Sequence, residues 1–335
     1  MHTTRLAQPH LDLRGIRGIT VTLLCLLASL STPGQAQDRY PSKPITMIVP
    51  FPPGVVDSKA RIIAARVSEI LGQPIIIENK SGAGQRLGTQ VLTRAPKDGY
   101  TLGVVTQAAV VMAPAIDPGS LKYDALKDLQ YLTLGYNGYF MLVTHANSGM
   151  RTMKQFIDAA RARPGQLKYS SSGIGTSYHV WSEAFFEQAG VSLLHVPYRG
   201  AAQAQTDLIG GQVDVMLTSV GAKDQVDAGR LIALAVSDDQ RLPSLAQVPT
   251  MKEAGVDIVF SSWLGFAAPA GLPPAVLERL NAAFKQALET REVREKLMAD
   301  GSEVRYTTPA EFTRMIESEI RSISELNKKL KLELQ

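Results

Sequence analysis

The sequence predicts an α/β fold in two lobes, each a mostly parallel sheet flanked by helices. Two observations carry this expectation. Short, continuously apolar runs alternate with helical patterns, the signature of strands covered on both faces by helices. The series runs once from the amino end and then starts again near Tyr139. A chain of 335 residues also has the length for two domains.

Taken in order, the first segment reads as an export signal rather than as part of the fold. Arg14 and Arg17 precede the apolar run 19–28, and small residues lead up to Ala36. That is a charged region, a short apolar region and a small-x-small cleavage site, here placed over residues 1–36. The run is shorter than the ~20 residues a membrane span needs. The single cysteine, Cys25, lies inside it. Leu24 before it does not suit a lipid-anchor signal. The mature chain would then carry no thiol and form no disulfide. Three basic residues and one acidic residue leave with the leader, so 35 against 31 becomes 32 against 30. A nearly neutral surface excludes a polyanion such as nucleic acid as the expected partner. The product reads as exported and soluble.

The first series has strands at 45–50, 74–78 and 100–106, with helices at about 58–71 and 88–95. The second opens at 140–144, continues into a helix whose Thr152 and Gln155 form a capping box, and has strands at 167–171, 193–196, 213–218 and 231–236. A proline at 274 starts a helix with Leu277, Leu280, Phe284 and Leu288 on one face. Thr308, Pro309 and Glu311 make a second capping box, and Phe312, Ile316, Ile320, Ile323 and Leu330 form the buried stripe of the last helix. The second series looks inserted in the first. The expected division is 37–138 plus 261–335 for one lobe and 139–260 for the other.

Ligands of open α/β sheets bind at the carboxyl ends of strands, and three loops stand there. In the first, Phe51, Pro52, Pro53 and Gly54 make a rigid turn, Val55 and Val56 offer backbone donors, and Asp57 is placed to cap a helix. It reads either as an anion cradle at a helix N-terminus or as a plain capped turn. The second, 79–88, carries Gly82, Gly84 and Gly88, off the spacing of a dinucleotide fingerprint, so it reads as a turn that packs closely or rims a ligand cleft, with no nucleotide cofactor. The third crowds Ser171, Ser172, Gly175, Thr176, Ser177 and His179 at a strand-to-helix turn. Hydroxyls and main-chain N–H groups suit a carboxylate, which accepts several hydrogen bonds. Thr106 and Gln107 end the third strand and join the candidates, as do Tyr139 near the crossover and Arg199 in a turn. Arg199 reads either as a carboxylate partner or as an ordinary surface arginine, and Tyr139 as hinge packing or ligand cover.

Catalysis finds little support. No G-x-S-x-G window occurs, and His145, His179 and His195 have no zinc-site spacing. No metal, no cofactor and no enzyme activity are expected. Two alternatives stand beside this reading: an exported hydrolase using Ser177 and His179, and a ligand sensor docking to a receptor kinase.

The stretches "VPFPPG", "GQPIIIENKSGAGQRLG", "PKDGYTLG", "YSSSGIGTSYH", "VPYRGAAQAQTDLIGGQVDVM", "QVPTMKEAG" and "WLGFAAPAGLP", in this order and spacing, resemble the solute-binding proteins of tripartite tricarboxylate transporters, the Bug or TctC-type family. The resemblance covers essentially the whole mature chain. It implies a two-lobed periplasmic-binding-protein fold that closes like a flytrap around a small carboxylate, aliphatic or aromatic, and delivers it to the membrane components of a tripartite transporter. It also implies a carboxylate held between residues 51–57 and 171–179, with Arg199, Ala201, Ala202 and Ser219 across the cleft. One departure is Val55, where the family pattern has a second glycine. A side chain there makes the pocket more apolar, and glycine's backbone freedom is lost.

Overall fold

The computed structural model describes His2, residues 40–299, residues 301–330 and Leu332. Apart from His2, the predicted leader and its Cys25 lie outside the described residues. All that follows lies within the compact unit Lys43–Gln335.

The chain opens with a β-α-β-α-β run: β1 (Ile45–Val49), α1 (Val55–Leu71), β2 (Ile75–Asn79), α2 (Arg86–Thr93) and β3 (Thr101–Thr106). β1 pairs in parallel with both β2 and β3. A π-helical turn, Ala108–Met112, runs into α3 (Ala113–Ile116), and β4 (Leu129–Gly138) is separated from β5 (Phe140–His145) by Tyr139 alone. The second run is α4 (Met153–Ala162), β6 (Lys168–Ser171), α5 (Ser177–Ala189), β7 (Leu194–Pro197), α6 (Ala201–Ile209), β8 (Val215–Ser219), α7 (Lys223–Asp227) and β9 (Leu231–Val236). The chain returns through β10 (Ser262–Pro269), α8 (Pro274–Glu289), α9 (Arg291–Met298), β11 (Glu303–Val304) and α10 (Pro309–Leu330).

Two sheets result, in the orders β11-β4-β10-β3-β1-β2 and β7-β6-β8-β5-β9. The α/β class is as expected, but neither sheet is mostly parallel. β10 runs antiparallel to β3 and to β4, β11 antiparallel to β4, and β5 antiparallel to both β8 and β9. The reason is the connection. β4 and β5 form almost one continuous extended segment leading from one sheet into the other, and β10 follows the second run back into the first sheet. Strands that carry the chain between sheets need not share the direction of the β-α-β units beside them. β4 and β10 were missing from the sequence reading, because Gly135, Gly138 and Gly265 interrupt their apolar pattern.

Packing explains one of those glycines. A Cβ at Gly265 would lie 2.3 Å from Cζ of Phe312. α10 therefore crosses β10 closely enough to seat Phe312, Ile316 and Ile323 in a core with Val105, Tyr131 and Trp263. In the second sheet the alternation of β5 divides its side chains between two cores. Phe140 and Leu142 join Phe156, Tyr169 and Phe185, whereas Met141 and Val143 join Leu208, Met216 and Val236.

Both predicted threonine caps are present, but only the second closes as a full capping box; Gln155 Oε1 accepts from the Arg151 amide (2.7 Å) instead of from Thr152. The Gln155 amide donates to Thr152 Oγ1 (3.2 Å). The Glu311 amide donates to Thr308 Oγ1 (3.3 Å), and the Thr308 amide returns a bond to Glu311 Oε2 (2.8 Å).

Candidate functional site

Three helices follow directly from the carboxyl ends of parallel strands: α1 after β1, α5 after β6 and α6 after β7. None has a side-chain cap. α1 begins at Val55, three residues before the predicted start, and Gly54 rather than Asp57 is its N-cap. The first intrahelical bond runs from the Ser58 amide to Gly54 O (2.8 Å). The amides of Val55, Val56 and Asp57 precede it, as the open end of any helix requires. Pro52, Pro53 and Gly54 leave this end exposed, and Phe51 is partly buried.

Asp57 takes a different part from the one expected. Its carboxylate is buried and accepts from Arg61 Nε and from Asn79 Nδ2, both at 2.8 Å. The Arg61 hydrogen bond holds its pKa below the ordinary carboxylate value against the cost of burial, with Asn79 helping. Asn79 also donates to Phe51 O (2.8 Å). Asp57 therefore ties the loop down instead of capping the helix.

The glycine loop after β2 is a packed turn, as predicted. A Cβ at Gly88 would meet Pro50 Cβ at 2.8 Å and Lys80 O at 2.9 Å. Gln85 accepts from the Thr106 hydroxyl (2.9 Å), so the ends of β1, β2 and β3 converge. Gln107 reaches across. Its Nε2 donates to Glu319 Oε2 (3.0 Å) and its Oε1 accepts from Trp181 Nε1 of α5 (3.2 Å). Trp263 Nε1 donates to the same Glu319 oxygen (2.9 Å). Burial raises the Glu319 pKa, and the two donors draw it back. Gln107 thus joins the two sheets' helices and strands, and its amide is committed to that link.

The third loop holds itself together. Thr176 Oγ1 donates to Gly173 O (2.7 Å) and accepts from Ser172 Oγ (3.1 Å). The Gly175 amide donates to His179 Nδ1 (3.1 Å), which places that ring's proton on Nε2. His179 Nε2 has no hydrogen-bond partner among the described residues. Ser171 Oγ lies 2.7 Å from His195 Nε2. The His195 ring is stacked between Tyr169 (4.6 Å between centroids, 13° apart) and His179 (4.3 Å, 9°). Burial pushes both imidazoles down to about 4, and for His195 the neighbouring ring adds to the effect. The pair is neutral at physiological pH. Ser177 and His179 are not hydrogen-bonded to each other, so the pair weighed for a hydrolase is not formed.

β6 and β7 are parallel neighbours, which sets the starts of α5 and α6 side by side. The Tyr198 amide donates to Ser171 O (3.1 Å). Beyond it, Gly200 is the N-cap of α6, and Ala201 and Ala202 supply its first amides. Arg199 is exposed and makes no hydrogen bond or ion pair among the described residues.

The predicted residues therefore fall into two clusters. Residues 51–57 and Thr106 stand on the six-stranded sheet. Residues 171–179, Arg199, Ala201 and Ala202 stand on the five-stranded one, and the Gln107–Trp181 bond connects the two groups. Ser219 ends β8, the parallel neighbour of β6, and Tyr139 stands beside it, its carbonyl accepting from the Val220 amide (3.1 Å). The Tyr139 hydroxyl donates to Glu303 Oε2 (2.9 Å), and Ser219 Oγ accepts from the Gly221 amide (3.2 Å) to start its own turn. A depression of about 940 Å³ beside β9 and the start of α4, and one of about 350 Å³ near Arg161 and Gly190, contain none of the predicted residues. The clusters, not those hollows, hold the convergent donors. His195, Asn79 and Gln85 were missed in sequence. Only His195 left a signal there, as an imidazole in an apolar run.

Two mixed sheets flanked by helices and joined by crossing strands define the two-lobed α/β fold of periplasmic binding proteins. Residues 59–332 match the model of the tripartite tricarboxylate transporter family receptor. The chain belongs to that family. It is 36% identical over 325 residues to a protein from the tcbD-tcbE intergenic region of a Pseudomonas strain, covering 95% of each chain. It is 32% identical to protein BugT of Bordetella pertussis, over 88% of this chain and 91% of that one. Among solved structures, an R. palustris protein with adipate superposes with a TM-score of 0.81 at 30% identity, covering 88% of this chain and 99% of the other. MatC of Rhodopseudomonas palustris, with bound malate, superposes with a TM-score of 0.77 at 29% identity, over 85% and 99%. The described residues contain no helix long and apolar enough to cross a membrane.

Proposed function

We propose that this chain is a periplasmic solute-binding protein that captures a small carboxylate between its two sheets and delivers it to the membrane components of a tripartite transporter. The observation that carries the reading is the set of uncapped helix starts at Val55, Ser177 and Ala201. Each presents main-chain donors and the positive end of a helix dipole. The α5 start is surrounded by hydroxyls and two uncharged imidazoles, and the carboxylate in the first turn of α1, Asp57, is paired with Arg61. Such a site balances one or two carboxylate charges with dipoles, and Arg199 is the nearby cation that could add to it. Relatives solved with adipate and malate support a dicarboxylate guest. The lobes are assigned to 37–138 plus 261–335 and to 139–260, closing on the guest as a monomer after removal of residues 1–36.

The test is a thermal-shift and calorimetric screen with adipate, malate and aromatic carboxylates. A ligand that prefers the folded state raises the melting temperature by mass action. Binding of at least one carboxylate at micromolar concentration, without turnover, is expected. No carboxylate bound at millimolar concentration would overturn the reading.

A further inference from the structure

β9 is an outer strand of the five-stranded sheet, with β5 as its neighbour. The alternation of an antiparallel pair fixes which main-chain groups point inward. The Ala146 amide donates to Arg230 O (3.1 Å) and the Ser237 amide to Phe140 O (2.9 Å). Residues 230 and 232 therefore face β5 before the register shift, and 235 and 237 after it. Leu231, Ala233 and Val236 turn their amides and carbonyls outward. Val236 is served by the chain itself: its amide donates to Pro249 O and its carbonyl accepts from the Met251 amide, both at 2.9 Å. The outward groups of Leu231 and Ala233 have no such partner among the described residues.

Beside them lies the hollow of about 940 Å³, and all of residues 231–234 line it. Ile232 and Leu234 belong to the core layer that holds Met153 and Ala254, whereas Leu231 and Ala233 belong to the layer that holds Val226 and Val248. All four of those partners line the hollow too. Successive side chains of a strand point to opposite faces, so a hollow bordered by both layers runs along the strand's edge. Arg151 stands on its rim, exposed, with no ion pair or side-chain hydrogen bond among the described residues. The other rim charges are engaged: Lys154 pairs with Asp158 (2.6 Å) and Glu253 with Arg241 (2.8 Å).

We infer that this groove docks an extended segment of a partner protein, added as a strand along β9, with an acidic side chain set against Arg151. A polypeptide backbone carries donors and acceptors at the strand repeat that Leu231 and Ala233 present. The chain's own residues 249–251 already use the edge in this manner, Thr250 bridging in parallel to Val236, so the groove continues a ladder that the fold begins and then leaves. The unpaired guanidinium sets the sign of the guest's charge. The inference is independent of the carboxylate reading.

The experiment is amide hydrogen exchange and calorimetry of the full chain with a short end-blocked peptide that alternates valine and glutamate. The controls are the same alternation with lysine, and the valine–glutamate peptide with every amide N-methylated. The expected result is protection of the Leu231 and Ala233 amides on binding. Affinity should fall about tenfold in Arg151→Glu and with the lysine peptide. It should vanish on N-methylation and in Ala233→Pro, which removes an outward donor at an edge position where proline is tolerated. Melting temperatures confirm folding, and Arg151→Glu, at an exposed position, carries the test if Ala233→Pro does not fold. Undiminished binding of the N-methylated peptide would overturn the proposal. So would equal affinity for the two charge patterns, or no peptide bound at about 1 mM. Protection of the same two amides that rises with protein concentration, without peptide, would assign the edge to a second copy of the chain and overturn it equally. Carboxylate binding should be the same in every variant.

Discussion

The helix starts of this protein come in two kinds. α4 and α10 begin with a threonine whose hydroxyl takes up a first-turn amide, and in α10 a glutamate answers it. α1 and α6 begin with a glycine that takes up nothing, and α5 begins with a threonine that spends its proton on Gly173 O instead. A cap contributes about 1 kcal/mol to a helix; α2, α3, α7, α8 and α9 also lack a side-chain cap, and what sets α1, α5 and α6 apart is that their open starts directly follow the carboxyl ends of β1, β6 and β7. What the contrast teaches is that an open start directly at the carboxyl end of a parallel strand, rather than an open start as such, is where a guest is expected. A helix start closed by its own side chain is part of the scaffold.

The strongest way to break this comparison is to close an open start. Gly200 has an extended backbone that any residue can adopt, and a Cβ there meets nothing within 4 Å. Gly200→Asp should cap α6 from within and put a carboxylate where the guest's would lie. Carboxylate affinity should drop roughly 100-fold, from lost donors and like-charge repulsion, while the melting temperature holds or rises slightly. Unchanged calorimetric affinity would show that the α6 start is not part of the site.

Acid should come next in size, acting through the loop between β6 and α5. Folding lowers the pKa of His179 and His195 from 6.5 to about 4. Between those values the unfolded chain binds protons that the folded chain refuses, so stability is full above about pH 6.5 and declines toward pH 4. Glu183 and Glu319, whose pKa values burial raises, oppose part of that decline. Melting temperature measured against pH should therefore fall by several degrees, and less steeply in His195→Phe. Parallel slopes in the two proteins would refute the assignment.

The smallest effect sharpens the scaffold side. Thr308→Ala should cost about 1 kcal/mol, a drop of roughly 2–4 °C in melting temperature for a domain of this size, with ligand affinity unchanged. Thr152→Ala should behave alike. A loss of affinity in either would blur the distinction between the two kinds of start.

Much of this was legible beforehand, for physical reasons. β9 was read at its observed bounds, because an apolar run between two turn signals has few other ways to bury itself. Both threonine caps were readable because the pattern that signals them is local, four residues from Thr152 to Gln155 and from Thr308 to Glu311. The open starts could be located but not understood: Asp57 looks like a cap in sequence, and only the positions of Arg61 and Asn79 show it employed elsewhere. β4 and β10 escaped because their glycines exist to admit residues distant in the chain, such as Phe312. His195 escaped for the same reason: its meaning depends on Ser171, 24 positions earlier, brought alongside by strand pairing.

The link through Gln107 and Glu319 has a practical side. The chain has two tryptophans, and both hang on that pair, one from a helix of the five-stranded sheet and one from a strand of the six-stranded sheet. Trp263 is seated in the core beside Phe312, whereas Trp181 is stacked on Phe260 and only partly covered. Sliding α5 against β3 would strip one indole of its hydrogen bond and leave the other undisturbed. The molecule thus carries its own optical gauge, with a moving needle and a fixed reference, and needs no added dye to report a change in posture.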